Sequence, residues 1–351
     1  MRLYLISALA LLAPFVEAQN YTQTNLVSNL SDGAPMSDPN LVNAWGLCRG
    51  TGTPWWISDN GSDLTTLYDG TGAPQTLVVS VAQGSPTGCV YNGTGGFLLP
   101  NGKPAVFLFA SESGTISGWA PGASETTVMI TTPTASYKGL AIAWFGGAYY
   151  LYATDFHNGR VDVFDSQFRS LKTTMTGITD NWFTSFPGGP GYAPYNIRNV
   201  GGNLIVTIAQ QDGARHDSVS GAGLGYVASF TPQGQLIRVF EHNAWLNAPW
   251  GIAQAPGDFG AFSHNLLVGN FGSGQVAAFD LETGKSNGVM MDGNGNPIVI
   301  DGLWDLSFGA GDAKSGSATA LYFSAGPDDE SNGLFGTLTA ATADQGLGNG
   351  H

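Results

Sequence analysis

The sequence is built from one β-rich module that occurs six times. Each copy has an anchor residue opening a short apolar strand, a second apolar strand, a polar Asn/Asp/Gly turn and a third, alternating strand. The anchors are Gly46, Gly88, Gly139, Asn196, Gly251 and Gly302. One all-β unit in every ~50 residues is typical of a β-propeller blade. The repeat therefore predicts six blades.

The repeat also predicts the domain organisation and the way in which the ring closes. A β-sandwich would not repeat anchor, strand, turn and strand in the same order six times. The copies fill nearly all of residues 19–340, so we predict a single all-β six-bladed β-propeller domain. The last copy ends with three strands at Leu338, and residues 21–27 alternate like a strand. We predict that this N-terminal strand completes blade six and hides its edge.

The N-terminus has the pattern of a signal peptide. Arg2 precedes an apolar stretch at residues 5–16, and small Ala18 ends a cleavage motif before Gln19. No later stretch reaches the ~18 apolar residues of a membrane span. We therefore expect residues 1–18 to be removed and the protein to be secreted to an extracellular location, or to the periplasm in a bacterium. At the other end of the chain, we expect residues 341–351 to form a flexible Gly-rich tail.

The two cysteines predict one structural disulfide. In an oxidising compartment Cys48 and Cys89 pair by default. They follow their anchor glycines by two and one residues, which places both on the innermost strands of neighbouring blades. The Cα atoms there can approach the roughly 4.4–6.8 Å that a disulfide requires. Because alternate strand residues face opposite ways, a bulge or a tilt between blades must absorb the one-residue offset.

The charge balance excludes some classes of partner. The chain has 12 Lys and Arg against 26 Asp and Glu, a formal net charge of −14. This argues against nucleic acid and anionic membrane surfaces. The 51 glycines and the charged fraction of 11% exclude a helical bundle. Four Asn-x-Ser/Thr sequons are candidate glycosylation sites if the source is eukaryotic. They are Asn20, Asn29, Asn60 and Asn92.

Several runs resemble known propellers. The blades resemble those of NHL-type and gluconolactonase-like six-bladed propellers, in which a Pro-x-Gly-Ile strand precedes a strand ending in Asp and a Gly turn. A closer resemblance, to a family of secreted conserved hypothetical propeller proteins, covers nearly the whole mature chain. It is carried by residues 191–197, 209–217, 246–252, 265–272, 301–306 and 321–330. This resemblance implies a six-bladed fold and export, and it implies no activity.

One face of such a ring is the expected ligand site. The residues before each anchor and the turn after each second strand meet at one mouth of the channel, where propeller ligands usually bind. This rim is acidic, amide-rich and aromatic, and it includes Glu112 and Lys138. It suits a small polar molecule, a glycan or a protein partner. The candidate ligand contacts are Trp45, Tyr195, Trp250, Trp304, Asp212 and Glu330.

Two His-Asp combinations are the catalytic candidates. A long insertion at residues 210–225 contains His216 beside Asp217, which could be a general base with its carboxylate or a pair of metal ligands. Asp155 and His157 end a strand in blade three. Alternatively, both combinations only form local turns.

A divalent cation such as calcium is the candidate cofactor. Gluconolactonase-like propellers hold such an ion at the mouth through an acid and asparagines, and Asn196 resembles one of those asparagines. Asn43 and Asn270 could converge with it, and Asp305 competes with Asp155 and Asp301 as the acid. Alternatively, the asparagines cap strands and fill turns.

These observations leave three hypotheses for function. The first is a secreted recognition propeller that binds its ligand at the channel mouth. The second is a metal-assisted hydrolase of lactones or esters. The third is an extracytoplasmic structural protein. A Gly-x-Ser-x-Gly nucleophile motif is absent from the sequence, and the Gly-rich runs lack the lysine and helix of a phosphate loop.

Overall fold

A computed structural model describes residues 20–171, 183 and 185–341. The predicted signal peptide and the tail after Ala341 lie outside these residues. The described residues form 24 strands and two short 3₁₀ helices, Asn60–Ser62 and Gly260–Phe262. Within them, no helix is long and apolar enough to span a membrane.

The strands follow the chain in blade order. The first twelve are β1 (Tyr21–Ser28), β2 (Met36–Ser37), β3 (Ala44–Cys48), β4 (Trp55–Asp59), β5 (Leu64–Tyr68), β6 (Val79–Ser80), β7 (Pro86–Tyr91), β8 (Phe107–Ser111), β9 (Thr115–Trp119), β10 (Thr127–Thr131), β11 (Tyr137–Phe145) and β12 (Ala148–Asp155). The others are β13 (Arg160–Asp165), β14 (Tyr192–Val200), β15 (Asn203–Gln210), β16 (Gly225–Phe230), β17 (Leu236–Val239), β18 (Pro249–Gln254), β19 (Leu266–Asn270), β20 (Val276–Phe279), β21 (Ser286–Val289), β22 (Leu303–Phe308), β23 (Ala320–Ala325) and β24 (Leu334–Ala340).

Six antiparallel sheets form the blades of a closed ring. Blades one, two, four and five are β3–β6, β7–β10, β14–β17 and β18–β21, and blade three has β11–β13 among the described residues. The inner strands β3, β7, β11, β14, β18 and β22 contact one another in that order, and β22 contacts β3. The predicted all-β six-bladed propeller is confirmed.

The N-terminal strand closes the ring as predicted. β1 pairs antiparallel with β24, with Tyr21 opposite Ala340 and Ser28 opposite Leu334. Blade six therefore runs β22-β23-β24-β1, with β2 added in parallel outside β1. Both ends of the domain are held in one sheet, which covers the edge that β24 would otherwise expose.

The hydrophobic core lies between the blades. Six apolar clusters each join two successive blades, and a seventh fills the channel axis. Because the second strand of a blade has a neighbouring blade on either face, strands such as β4 and β8 are buried along their whole length. This explains their continuous apolar runs in the sequence.

A β-bulge interrupts each inner strand near its anchor residue. The register with the second strand shifts between Ala44 and Leu47 in blade one, and corresponding shifts occur in the other five blades. Gly88 shows why glycine suits this position, since an added Cβ would lie 2.6 Å from the carbonyl oxygen of Lys138 in the next blade. The anchors are therefore the points of closest approach between inner strands.

The anchor of blade six lies three residues later than the sequence indicated. Leu303 pairs with Ala325 and Leu306 with Phe323, so the bulged position corresponding to Gly46 is Asp305. Gly302 instead occupies the preceding turn with a φ of 62°, where a Cβ would lie 2.1 Å from the Gly326 carbonyl oxygen. Glycine is required at position 302 by this turn and not by the close approach of the inner strands around the channel.

The predicted disulfide is confirmed. Cys48 and Cys89 are bonded, with a Cα–Cα distance of 5.8 Å. The one-residue offset remains in the structure, because the two inner strands are bulged at equivalent positions, between Ala44 and Leu47 and between Pro86 and Cys89. The bond joins the inner strands of blades one and two.

Candidate functional site at the channel mouth

The six residues before the bulged anchors form a ring around the channel. Because each inner strand enters from the same face, this ring lies just inside one opening, which we call the first mouth. We call the residues the first ring. They are Trp45, Thr87, Lys138, Tyr195, Trp250 and Trp304.

The aromatic members of the first ring close the channel. Trp45 stacks on Trp304 with ring centroids 3.8 Å apart and meets Trp250 edge-on at 5.4 Å. Tyr195 meets Trp250 edge-on at 4.9 Å. All four side chains are at most 2% exposed. These residues, predicted as ligand contacts, pack against one another and form the floor of the first mouth.

Lys138 is the charged member of the first ring, and its side chain is fully buried. Its Nζ lies 4.7 Å from the centroid of a Trp45 ring, a cation–π contact. The same ammonium forms an ion pair with the Glu112 carboxylate and lies 3.5 Å from Asp217 Oδ1. A buried ammonium requires such partners because its desolvation is costly.

The insertion of blade four brings His216 and Asp217 to this lysine. It folds into a tight turn in which the Asp212 amide donates to the Asp217 carbonyl at 2.8 Å, and Asp212 Oδ1 accepts from the His216 amide at 2.8 Å. His216 Nδ1 then lies 3.1 Å from Asp217 Oδ2 and 3.9 Å from Glu112 Oε1. Asp212 therefore stabilises the turn, whereas the side chains of His216 and Asp217 lie near Lys138 and Glu112.

Glu330 brings a third carboxylate to the rim from blade six. Asn43 Nδ2 donates to Glu330 Oε2 at 2.6 Å, and Asn43 Oδ1 accepts from Trp304 Nε1 at 2.8 Å. Asn43 also donates to Asn60 Oδ1, and Asn60 Nδ2 donates to Glu112 Oε2 at 3.1 Å. One hydrogen-bonded chain thus joins Glu330 to Glu112 around the rim.

The pKa shifts of two rim carboxylates, Glu330 and Asp217, run in opposite directions. Burial raises the pKa of Glu330, and the charges of Asp217 and Glu112 act in the same direction, against the hydrogen bond from Asn43. Burial also acts to raise the pKa of Asp217, but the Lys138 ammonium and His216 outweigh it and lower that pKa. The Lys138 ammonium therefore stabilises the charged form of Asp217 more strongly than that of Glu330.

We call Glu112, Lys138, His216, Asp217 and Glu330 the acidic cluster. Three carboxylates and one ammonium leave it two negative charges when His216 is neutral. Ligand atoms of Glu112, His216 and Asp217 all lie within 4.8 Å of one another. Two carboxylates and one imidazole form a donor set that divalent cations use.

Asp155 and His157, the other catalytic candidates, are not joined by a hydrogen bond in the described structure. The Asp155 carboxylate accepts from the Ser136 and Asn158 amides and lies 3.1 Å from an Arg160 nitrogen. Burial raises the pKa of Asp155 despite these contacts. The His157 carbonyl accepts from a side chain of the insertion. The geometry at Asp155 is that of a turn.

The candidate metal ligands hydrogen-bond to different parts of the protein. Asn196 Nδ2 donates to the Trp250 carbonyl at 3.0 Å, and Asn270 Oδ1 accepts from the Asn247 amide at 3.0 Å. Asp305 accepts from the Leu47 amide at 3.0 Å and pairs with an arginine. These three side chains hydrogen-bond to the scaffold. Asn43 is the member of the set that contacts the acidic cluster.

Three sequon asparagines use their Nδ2 atoms in the folded protein. Asn92 is buried and donates to the Ala105 carbonyl at 2.7 Å and to the Gly96 carbonyl at 3.1 Å. A glycan on Asn92 is therefore incompatible with this fold. Asn29 Nδ2 donates to Asn332 Oδ1, and Asn60 Nδ2 donates to Glu112.

Sequence reasoning placed Glu112 and Lys138 on the rim without giving them a role. The signal that identifies them is positional. Lys138 occupies a ring position that is aromatic in four other blades, and a lysine among aromatic side chains requires a counter-charge. Glu112 begins the turn after the second strand of the preceding blade, directly beside that position.

Two relatives align with most of the chain. The chain is 34% identical to the uncharacterized protein R648 of Acanthamoeba polyphaga mimivirus over 328 residues, covering 89% of this chain and 78% of that protein. It is 32% identical to the uncharacterized protein L690 of the same virus, again over 328 residues, with 89% and 84% covered. No family model matches the chain.

A solved structure shares the fold. The streptogramin B lyase structure aligns with a TM-score of 0.53, covering 93% of this chain and all of that chain. The sequence identity is 12%, so the likeness is one of fold alone.

Proposed function

This chain belongs to the family that includes the mimivirus proteins R648 and L690, and we propose that it is an exported binding protein whose acidic cluster holds a divalent cation. A propeller is a rigid binding scaffold whose loops converge at a mouth. Small polar molecules or glycans are then recognised by the cation and by the amides of the rim. A protein ligand would use the same face.

The observation that carries this proposal is the uncompensated charge of the acidic cluster. Glu112, Asp217 and Glu330 face one ammonium, Lys138, which leaves two negative charges. One divalent cation would bring the cluster to neutrality. Carboxylates bound to a cation are stabilised in the charged form, which offsets the cost of their burial.

The donor set distinguishes among cations. Calcium, the ion implied by the resemblance to gluconolactonase-like propellers, prefers six to eight oxygen ligands. The ligand atoms of Glu112, His216 and Asp217 include an imidazole nitrogen, which suits zinc and other transition metals better. We therefore expect zinc or manganese to bind more tightly than calcium or magnesium.

Isothermal titration calorimetry of chelator-treated protein tests the proposal. Zinc, manganese, calcium and magnesium are titrated separately into the wild type, Glu112→Gln and Glu282→Gln. Glu282 is an exposed carboxylate of blade five and serves as the matched control. We expect one site, at least tenfold weaker in Glu112→Gln and unchanged in Glu282→Gln. The absence of binding heat with all four ions, or equal affinities in both variants, would contradict the cation site.

Lys138 gives a second readout because its ammonium occupies the position between two of the proposed ligands. Lys138→Met removes that competing charge while keeping the apolar stem against Trp45. We expect cation affinity to rise at least tenfold. Unchanged affinity would place the cation elsewhere on the protein.

Metal-assisted hydrolysis of a lactone or ester is the second candidate, and the same donor set favours it. A three-ligand metal site with open positions can polarise a carbonyl and lower the pKa of bound water. γ-Butyrolactone and p-nitrophenyl acetate are tested with the cation-loaded wild type and Glu112→Gln. Turnover that depends on Glu112 would establish the hydrolase. Cation binding without turnover would favour recognition.

Export is supported by the signal-like residues 1–18 and by the Cys48–Cys89 disulfide, since disulfides persist in oxidising compartments. Expression of the full chain in a secreting host tests this. We expect mature protein in the medium, beginning at Gln19 with no alkylatable thiol. Retention of the intact chain inside the cell would refute export.

A further inference from the structure

A cavity lies at the other end of the channel, where the inner strands end. We call this opening the second mouth. Two adjoining cavities of about 300 and 240 Å³ share the lining residues Arg49, Arg198, Asn199 and Ser307. They form one groove across the second mouth, separated from the acidic cluster by the aromatic floor. Its size is at the lower end of the range for small-molecule sites.

The groove has the opposite charge to the rest of the protein. The chain has 12 basic and 26 acidic residues, yet the charged residues lining the groove are both arginines, Arg49 and Arg198. Asp305 lies behind Arg198 with its side chain 3% exposed and neutralises it. Asp312 acts on Arg49 at a distance, and no ion pair joins them within the described residues. The groove is therefore positive and its charge is centred on Arg49.

The Arg49 side chain is held by two contacts that leave its terminal nitrogens available to a ligand. Its Nε donates to the Phe308 carbonyl at 2.9 Å, and its guanidinium lies 5.5 Å from the centroid of a Trp55 ring. Among the described residues, its two terminal nitrogens have no hydrogen-bond partner. Arg198, by contrast, donates to both Asp305 and the Leu306 carbonyl. A fixed guanidinium with a free edge is suited to an oxyanion.

The rest of the groove combines polar groups with a smaller apolar surface. Val90 and Ile142 are half-buried and form its apolar walls, with Ile252 and the Cys48–Cys89 disulfide buried behind the surface. Ser307 and Asn199 supply neutral polar groups. An inorganic anion on Arg49 would fill only part of a groove made of cavities of about 300 and 240 Å³. We propose that the second mouth binds a small organic acid, with its carboxylate on Arg49 and its apolar body against these walls.

Benzoate is the probe for this site, with benzamide as its neutral counterpart and inorganic phosphate as the purely ionic one. Calorimetric titrations use the whole purified protein and the variants Arg49→Gln and Arg169→Gln. Arg169 pairs with Asp165 and is 66% exposed in blade three, which makes it a matched control. We expect benzoate to bind at least tenfold more tightly than benzamide or phosphate. Arg49→Gln should weaken benzoate at least tenfold and Arg169→Gln by less than twofold.

Two further variants separate loss of the site from loss of the fold. Arg49→Lys retains the positive charge but not the planar fork, and we expect an intermediate affinity. Ser307→Leu fills the groove without changing its charge, and we expect at least a tenfold loss while Arg49 is intact. Thermal melting of each variant establishes that it is folded.

The proposal is overturned by several results. These are no benzoate binding to the wild type, equal binding of benzoate and benzamide, or equal affinity in folded Arg49→Gln and wild type. Binding of phosphate without benzoate would overturn the organic-acid assignment. Because the two mouths are separate, Glu112→Gln should leave benzoate affinity unchanged, so this site and the cation site fail or succeed independently.

Discussion

Arg198 of blade four donates through Nη2 to both carboxylate oxygens of Asp305 in blade six, at 2.9 and 2.8 Å. Asp305 also accepts from the Leu47 amide of blade one, so one carboxylate connects three blades. Burial raises the pKa of Asp305, and Arg198 is the largest influence opposing it. The pair crosses the channel between its two mouths.

Removing the arginine should destabilise the ring. Arg198→Met leaves the Asp305 carboxylate buried without its counter-charge, and we expect a loss of about 3 kcal/mol in the free energy of unfolding. The double variant Arg198→Met/Asp305→Asn should lose less, because it buries no unpaired charge. Urea denaturation measures both. Arg169→Met, which breaks an exposed pair, should cost under ~1 kcal/mol, and an equal loss in both arginine variants would contradict this role.

Gly88 tests the close approach of the inner strands. An added Cβ would lie 2.6 Å from the Lys138 carbonyl oxygen, and neither backbone can move without disturbing the ring. We expect Gly88→Ala to cost about 1–3 kcal/mol, the usual range for overpacking. Gly95→Ala is the control, because a Cβ there meets no atom within 4 Å. Thermal denaturation should show a lower melting temperature for Gly88→Ala alone.

The disulfide should stabilise the protein mainly by restricting the unfolded chain. Cys48 and Cys89 are 41 residues apart in sequence. Chain entropy for a loop of this length predicts about 3–4 kcal/mol. Denaturation of Cys48→Ala/Cys89→Ala under oxidising conditions measures the loss, and reduced wild type should show a similar one. A loss below ~1 kcal/mol in both cases would contradict the prediction.

Asp59 should make stability depend on pH. It is fully buried, and this burial raises its pKa well above the ordinary value, with Thr66 opposing the shift and Asp38 adding to it. A carboxyl with a raised folded pKa contributes stability below its unfolded pKa of about 3.9 and loses it as the pH rises. Asp59→Asn, which remains neutral, should therefore gain stability relative to wild type between pH 4 and pH 8.

Melting temperatures at pH 3, 4, 5, 6 and 8 check this sign. Asp280→Asn is the control, because hydrogen bonds from Thr283 lower the pKa of Asp280. That carboxylate contributes stability above its unfolded pKa and loses it as the pH falls through its lower folded pKa. Asp280→Asn should therefore lose stability relative to wild type as the pH rises from 3 to 5. Parallel trends in the two variants would contradict the assignment for Asp59.

The blade architecture could be predicted because it is local in sequence. Each blade pairs strands that follow one another along the chain, so the repeat of anchor, strands and turn identifies six blades. The order of the blades around a closed ring then predicts β1 beside β24 and Cys48 beside Cys89. It did not align blade six, where Gly302 belongs to a turn and Asp305 occupies the bulge. A glycine pattern alone does not distinguish these two requirements.

The acidic cluster depends on the tertiary structure. Its members come from blades two, three, four and six, and the sequence indicates only that their loops face the same mouth. Which side chains meet is decided by the rotation of each blade about the axis and by the turn at Asp212. Ring closure also buries the aromatic residues that the sequence suggested as ligand contacts. A strand pattern is determined by neighbours along the chain, whereas contacts across a channel are determined by packing between blades distant in sequence.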